Sequence, residues 1–143
     1  MRIAGKCHCG NISYTMEFDG ALADIPVRAC TCSFCVKHGG AWTSHPGARL
    51  DVTVRDPARH ARYEFATKTA EFHICTGCGV VPLVTCRLDD RTLAVVNVNT
   101  FDDIDLSTLK KAPMSFEGEQ IEQRLARRQR NWISDVRFAG GNG

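Results

Sequence analysis

Ala70-Glu71-Phe72-His73-Ile74-Cys75-Thr76-Gly77-Cys78-Gly79 carries two signals in one stretch. Apolar Ala70, Phe72 and Ile74 alternate with Glu71 and His73, the period of a half-buried strand. The alternation then runs straight into a Cys-x-x-Cys pair, a spacing that lets one turn present two thiolates to one ion. Gly77 and Gly79 suit such a turn, because glycine tolerates positive φ and close backbone approach. The stretch therefore predicts a strand that ends in a metal-binding turn. His73, out of phase with Phe72 and Ile74, is expected to point away from their face into solvent or a hydrogen bond rather than to a metal.

Two further clusters lie upstream: Cys7-His8-Cys9-Gly10 and Cys30-Thr31-Cys32-Ser33-Phe34-Cys35. Together the three clusters hold seven of the eight cysteines. Structural zinc sites usually take four thiolates or imidazoles, whereas catalytic zinc keeps one position open. Seven thiolates divide as four plus three. Pairing Cys7 and Cys9 with Cys75 and Cys78 would clip together strands separated by about 65 residues, where a cross-link restricts the unfolded chain strongly. Cys30, Cys32 and Cys35 then form a three-thiolate site in the loop 29–40, with Cys86, His38 and His45 as candidates for a concealed fourth ligand. Two zinc ions per chain are expected.

Other uses of the thiols fit less well. Cysteines one residue apart are awkward disulfide partners, and Met1 to Lys6 has no apolar signal-peptide stretch. Ferredoxin spacings are absent. A redox dithiol at Cys75 and Cys78 has the right spacing but precedes a strand rather than opening a helix. Reduced thiols point to the cytoplasm.

Strand-like alternation recurs at Ile12 to Phe18, Leu50 to Val54 and Tyr63 to Phe65, and β-branched residues fill Val80 to Cys86 and Leu93 to Val98. Gly, Pro, Asp and Asn mark the turns between them. Many short strands at this spacing predict an all-β sandwich or barrel-like domain. Asp105 to Lys111 reads as one or two helical turns. A C-terminal helix is expected over about 118–131, with Ile121, Leu125, Arg128 and Trp132 on one face. Phe138 to Gly143 reads as a frayed tail. The chain is expected to be one domain over 1–143, with a core at about 3–112 and a helical extension at about 118–137.

With 43% hydrophobic and 24% charged residues the composition is that of a soluble globular protein. No apolar run approaches the length of a membrane helix. A net charge of +2 gives no reason to expect a nucleic-acid partner, and Arg124, Arg127, Arg128 and Arg130 read as a solvated helix face.

Gly5-x-Cys7-His8-Cys9-Gly10, Cys30-x-Cys32-Ser33-x-Cys35 and Cys75-x-x-Cys78-Gly79 resemble, in this order, the motifs of the glutathione-dependent formaldehyde-activating enzyme family, which includes centromere protein V. Tyr63-x-Phe65 and Asn99-x-Phe101-Asp102-Asp103 add to the likeness, which covers roughly residues 3–110. The resemblance implies an Mss4-like fold of stacked antiparallel sheets around zinc. It implies a structural zinc on Cys7, Cys9, Cys75 and Cys78, and a catalytic zinc on Cys30, Cys32 and Cys35. Family members often carry a basic residue directly after the third middle cysteine; here that position is Val36, with Lys37 next. The arginine-rich C-terminal segment matches no motif of the family.

The expected activity is that of a zinc-dependent carbon–sulfur lyase, in which a small thiol such as glutathione and an aldehyde such as formaldehyde form or break a C–S bond. His38, Lys37 or Ser33 would move the proton. The alternative is a zinc-stabilised binding module with a closed second site, contacting protein or nucleic acid through its basic C-terminal helix.

Overall fold

The computed structural model describes residues 1–139. Eleven strands build two sheets: β1 (Arg2–Lys6), β2 (Ile12–Glu17), β3 (Val27–Cys30), β4 (Trp42–Thr43), β5 (Arg49–Val54), β6 (His60–Tyr63), β7 (Glu71–Cys75), β8 (Leu83–Leu88), β9 (Arg91–Asn97), β10 (Lys111–Met114) and β11 (Asp135–Ala139). Two α-helices, α1 (Ser33–His38) and α2 (Ile121–Asn131), accompany them. The smaller sheet has the order β1-β2-β5-β11 and the larger β10-β3-β4-β9-β8-β7-β6. Pairing is antiparallel except at two edges, where β10 runs parallel to β3 and β11 parallel to β5.

The alternation read in the sequence decides which faces meet. Ile12, Tyr14 and Met16 of β2 stand opposite Val54, Val52 and Leu50 of β5, and all six are buried. Gly5 on β1 lies against the Tyr14 ring so closely that a Cβ there would come within 2.3 Å of it. In the larger sheet both faces of the central strands are covered. Leu83, Ala94 and Val96 pack into the core shared with β2 and β5. Val84, Cys86, Leu93 and Val95 face the other way, into a second cluster with Cys35, Phe72 and Trp132. Central strands buried on both sides carry continuous apolar runs, and β8 and β9 do.

Four expectations need correction. The segment 29–40 is not all loop: Ser33–His38 forms a short helix, with Cys32 at its N-cap and Gly39 at φ 70° closing it. The helical turn near Asp105 covers only Leu106–Thr108, and the chain then extends as β10, whose Pro113 is tolerated because β10 is an edge strand. Helix α2 begins at Ile121 rather than near 118, and Ile121 itself is exposed, so the inward stripe is Leu125, Arg128 and Trp132. Phe138 and Ala139 are not frayed; they belong to β11, where Val136 and Phe138 pack against the core. The rest of that expected tail, 140–143, lies outside the described residues.

α2 is fastened to the larger sheet at its C-terminal end. Ser44 Oγ donates to the Asn131 carbonyl at 2.6 Å, and Ala94 and Ile133 exchange both backbone hydrogen bonds. Among the described residues no helix is long and apolar enough to cross a membrane.

Candidate metal centres and cavity

Cys7 and Cys9 follow β1 in one sheet, while Cys75 ends β7 in the other. The fold brings these three and Cys78 together, with their sulfur atoms all within 4.8 Å of one another. Gly10 at φ 86° and Gly79 at φ 81° turn the chain after each pair, and the Ile12 N–H donates to Cys7 Sγ at 3.3 Å. Burial pushes the Cys7 thiol up to about 12. A cation bound to the four sulfurs would reverse that penalty by holding them as thiolates.

The middle group is built differently. Cys30 ends β3, Cys32 caps α1 and Cys35 sits one turn in, and their sulfurs also lie within 4.8 Å of one another. The Cys35 N–H donates to Cys32 Sγ at 3.4 Å and the Trp42 indole Nε1–H to Cys35 Sγ at 3.4 Å. Hydrogen bonding from Cys35 pulls the Cys30 thiol down to about 5, helped by the positive charge of Arg127. Cys35 is pushed the other way, by its bond to Cys30 and by burial. Among the described residues this group stops at three members. Cys86 is buried in the second cluster, where it accepts from Arg128 Nη1 at 3.5 Å. His38 is exposed, its ring against Phe34. His45 stacks on Phe18 and accepts from the Gly47 N–H.

Cys30, Cys32 and Cys35 open on a cavity of about 460 Å³. One wall is aromatic: Trp42, Phe65 and Phe72 line it, with Phe72 set 5.3 Å from Phe65 and edge-on to Trp42 at 5.9 Å. Phe65, expected within a strand, lies just beyond β6 in the loop that forms this wall. The C-terminal part of the chain adds Phe116, Arg124, Arg127 and Arg128 to the lining. Ser33 also lines the cavity; Lys37 and His38 do not. These arginines are therefore not a solvated helix face. Arg128 is only 7% exposed, and Glu119 accepts from Arg124 Nε at 3.2 Å and Arg127 Nε at 2.9 Å. The helical period places Arg128 on one face with Leu125 and Trp132, and there it lies; only its reading as a solvated residue is overturned.

His73 is hydrogen-bonded as expected but fully buried, not solvated. Its Nδ1 pairs with His60 Nε2 at 2.8 Å and its Nε2 with Thr85 Oγ1 at 2.7 Å.

Residues 2–117 match the family described as glutathione-dependent formaldehyde-activating enzyme. The chain belongs to this family. A crystal structure of a Rhodobacter sphaeroides protein is similar to it, with 28% identity and a TM-score of 0.57, over 77% of this chain and 97% of that one. A search of curated proteins gives no match. The family match contains all seven clustered cysteines and the aromatic wall, whereas Arg124, Arg127 and Arg128 fall beyond it.

Proposed function

We propose that the protein joins a small thiol to an aldehyde such as formaldehyde, or parts them, at Cys30, Cys32 and Cys35, in the manner of a carbon–sulfur lyase. In this reading Cys7, Cys9, Cys75 and Cys78 hold a structural zinc, and the three middle cysteines hold a second zinc that accepts substrate. The donor sets suit it: thiolates in close pairs are zinc ligands. Zinc on three thiolates supplies an open Lewis-acidic position that favours the thiolate form of a thiol at neutral pH.

The observation that carries the proposal is a three-thiol group with no fourth protein donor among the described residues, opening directly on a cavity. The protein's own residues do the rest. Trp42 fixes Cys35 through its N–H and, with Phe65 and Phe72, walls water from the reacting sulfur. In the addition the thiol sulfur's electron pair forms the C–S bond and the carbonyl π pair moves to oxygen. The proton given up by the thiol ends on that oxygen, and the hydroxyl of Ser33, a cavity-lining residue next to Cys32 in sequence, is our candidate to relay it. Lys37 and His38 are not among the residues that line the cavity, so we rank Ser33 ahead of them for this role. Two observations weigh against the binding-module alternative: among the described residues Cys86, His38 and His45 lie outside the three-thiol group, and Arg124, Arg127 and Arg128 line the cavity, which leaves Arg130 as the exposed member of the four.

The test is exchange between formaldehyde and a glutathione adduct, followed by exchange NMR on zinc-loaded protein. Acceleration by the wild type and its loss in Cys32→Ser are expected. Equal exchange in the two proteins would overturn the assignment.

A further inference from the structure

Trp42, Phe65 and Phe72 line the cavity as one run of rings that starts at the thiol group. The Trp42 Nε1–H reaches Cys35 Sγ at 3.4 Å, the Phe72 ring stands edge-on to Trp42 at 5.9 Å, and Phe65 lies 5.3 Å from Phe72. Further rings outside the lining hold this run in place. Phe34 of α1 packs edge-on to Phe72 at 4.7 Å and against Phe65 at 5.4 Å. Tyr63, at the end of β6, stacks on Phe65 at 5.6 Å. Rings that interlock in this way present a fixed surface rather than loose side chains. Val84, Val95 and Trp132 extend the apolar lining.

Joining formaldehyde to a peptide-like thiol leaves this surface without a use. Formaldehyde is a single carbon and cannot touch both the thiol group and the far rings. Glutathione is carboxylate, ammonium and amide along most of its length, and it has little apolar surface to set against three rings. The arginines of the lining already donate to protein oxygens: Arg28 to Ser44, Arg128 to Thr69, and Arg124 and Arg127 to Glu119. The cavity of about 460 Å³ falls within the roughly 300–1,000 Å³ of pockets that enclose whole organic ligands. Ring surface left facing water there is apolar area that a ligand gains by covering.

We propose that Trp42, Phe72 and Phe65 form a subsite for the substituent of the aldehyde, and that the aldehyde preferred there is apolar and ring-sized, an aryl aldehyde ahead of formaldehyde. The reaction in this statement rests on the function proposed above; the apolar subsite rests on the rings alone. The thiol sulfur's electron pair forms the C–S bond at the aldehyde carbon, the carbonyl π pair moves to oxygen, and that oxygen takes the thiol's proton. The product is a hemithioacetal, and no other reactant is needed. With its carbon at the thiol group, a planar substituent lies along the rings in offset or edge-on contact. Covering them binds the aldehyde and holds its carbon beside the sulfur. A one-carbon aldehyde gains none of this.

The chain has two tryptophans, Trp42 and Trp132, and both line the cavity, so their indole N–H signals in a nitrogen–proton NMR spectrum report on its occupant. Benzyl alcohol keeps the ring of benzaldehyde and has no carbonyl to react with a thiol. Titrated into the zinc-loaded wild type, it is expected to shift these signals saturably. Phe65→Ala should weaken its binding about threefold to tenfold, the size of an aromatic contact. Phe65→Leu, which keeps apolar volume without the ring, should fall between, and it decides the matter should Phe65→Ala fail to fold. Exchange NMR with one thiol should show benzaldehyde accelerated more than formaldehyde, each against its rate in buffer, and that ratio should fall in Phe65→Ala. No saturable shift in the wild type, equal binding in wild type and variants, a ratio that Phe65→Ala leaves unchanged, or acceleration of formaldehyde alone would overturn the proposal. Binding of benzyl alcohol that depends on Phe65, with no exchange of either aldehyde, would sink the proposed activity and leave the apolar subsite standing; formaldehyde exchange without benzyl alcohol binding would do the reverse.

Discussion

The indole Nε1–H of Trp42 donates to Cys35 Sγ at 3.4 Å, from a ring that is itself buried. A donor aimed at a ligand sulfur holds that sulfur in place and spreads its charge, and such supporting contacts are commonly worth ten- to a hundredfold in metal affinity. Trp42→Phe keeps the edge-on packing against Phe72 and removes the donor. Chelator competition should find the second zinc bound about tenfold more weakly, with the first zinc unchanged. Equal loss at both sites, or at neither, would show that the bond does not tune this site.

The four-cysteine group ties the two sheets together, because Cys7 and Cys9 follow β1 while Cys75 closes β7. The apolar core on either side is substantial, so the fold does not depend on metal as a small zinc finger does. Cys75→Ser should lower the melting temperature by roughly 10 °C or more, the scale of a lost metal cross-link in a domain of this size. Cys30→Ser should lower it by only a few degrees while removing one of two zincs. Elemental analysis alongside calorimetry separates the cases, and a larger thermal loss in Cys30→Ser would reverse the proposed division of roles.

Much of this site was legible because cysteine spacing is a local signal. The knuckles at Cys7-x-Cys9 and Cys75-x-x-Cys78 are written in consecutive residues, as is the alternation of β2 and β5. What escaped was set by tertiary contact. Strand β10 is exposed along its length and contains Pro113, so nothing in its own residues announces a strand; its pairing with β3 makes it one. Helix α1 is six residues and carries no apolar period to read. The arginines of α2 are ordinary surface residues by type, and only the cavity beneath them turns three inward.

β11 illustrates the same limit and can be tested. Val136 and Phe138 alternate, but two apolar residues near a chain end are weak evidence of a strand. In the fold β11 extends the smaller sheet parallel to β5, and the Phe138 ring lies 5.7 Å from the buried His73. Phe138→Ala should cost about 1–2 kcal/mol, less than a fully buried phenylalanine because this one keeps part of its surface exposed. Urea denaturation reads the change directly, and an unchanged midpoint would mean that the strand adds nothing to stability.

Glu119 couples the wall of the cavity to pH. Its carboxylate accepts from Arg127 Nε at 2.9 Å, Arg127 Nη2 at 3.0 Å and Arg124 Nε at 3.2 Å. The Arg127 hydrogen bonds, and then the charges of Arg127 and Arg124, hold its carboxyl below its ordinary value of 4.5. A carboxyl whose folded pKa lies below its unfolded one binds fewer protons when folded. Its contribution to stability is therefore full above the unfolded value and is lost as pH falls through the folded one. Glu119→Gln should lower the melting temperature by several degrees at pH 7, the effect of losing charged hydrogen bonds worth about 1–3 kcal/mol. The gap between variant and wild type should narrow below pH 4.5 and close once wild-type Glu119 is protonated. Reading the gap rather than either melting point would cancel acid release of any metal held by the cysteine groups, since both proteins keep them. A gap that stays constant from neutral pH down through that acid range would mean that the glutamate acts through shape and not through its charge on the two arginines.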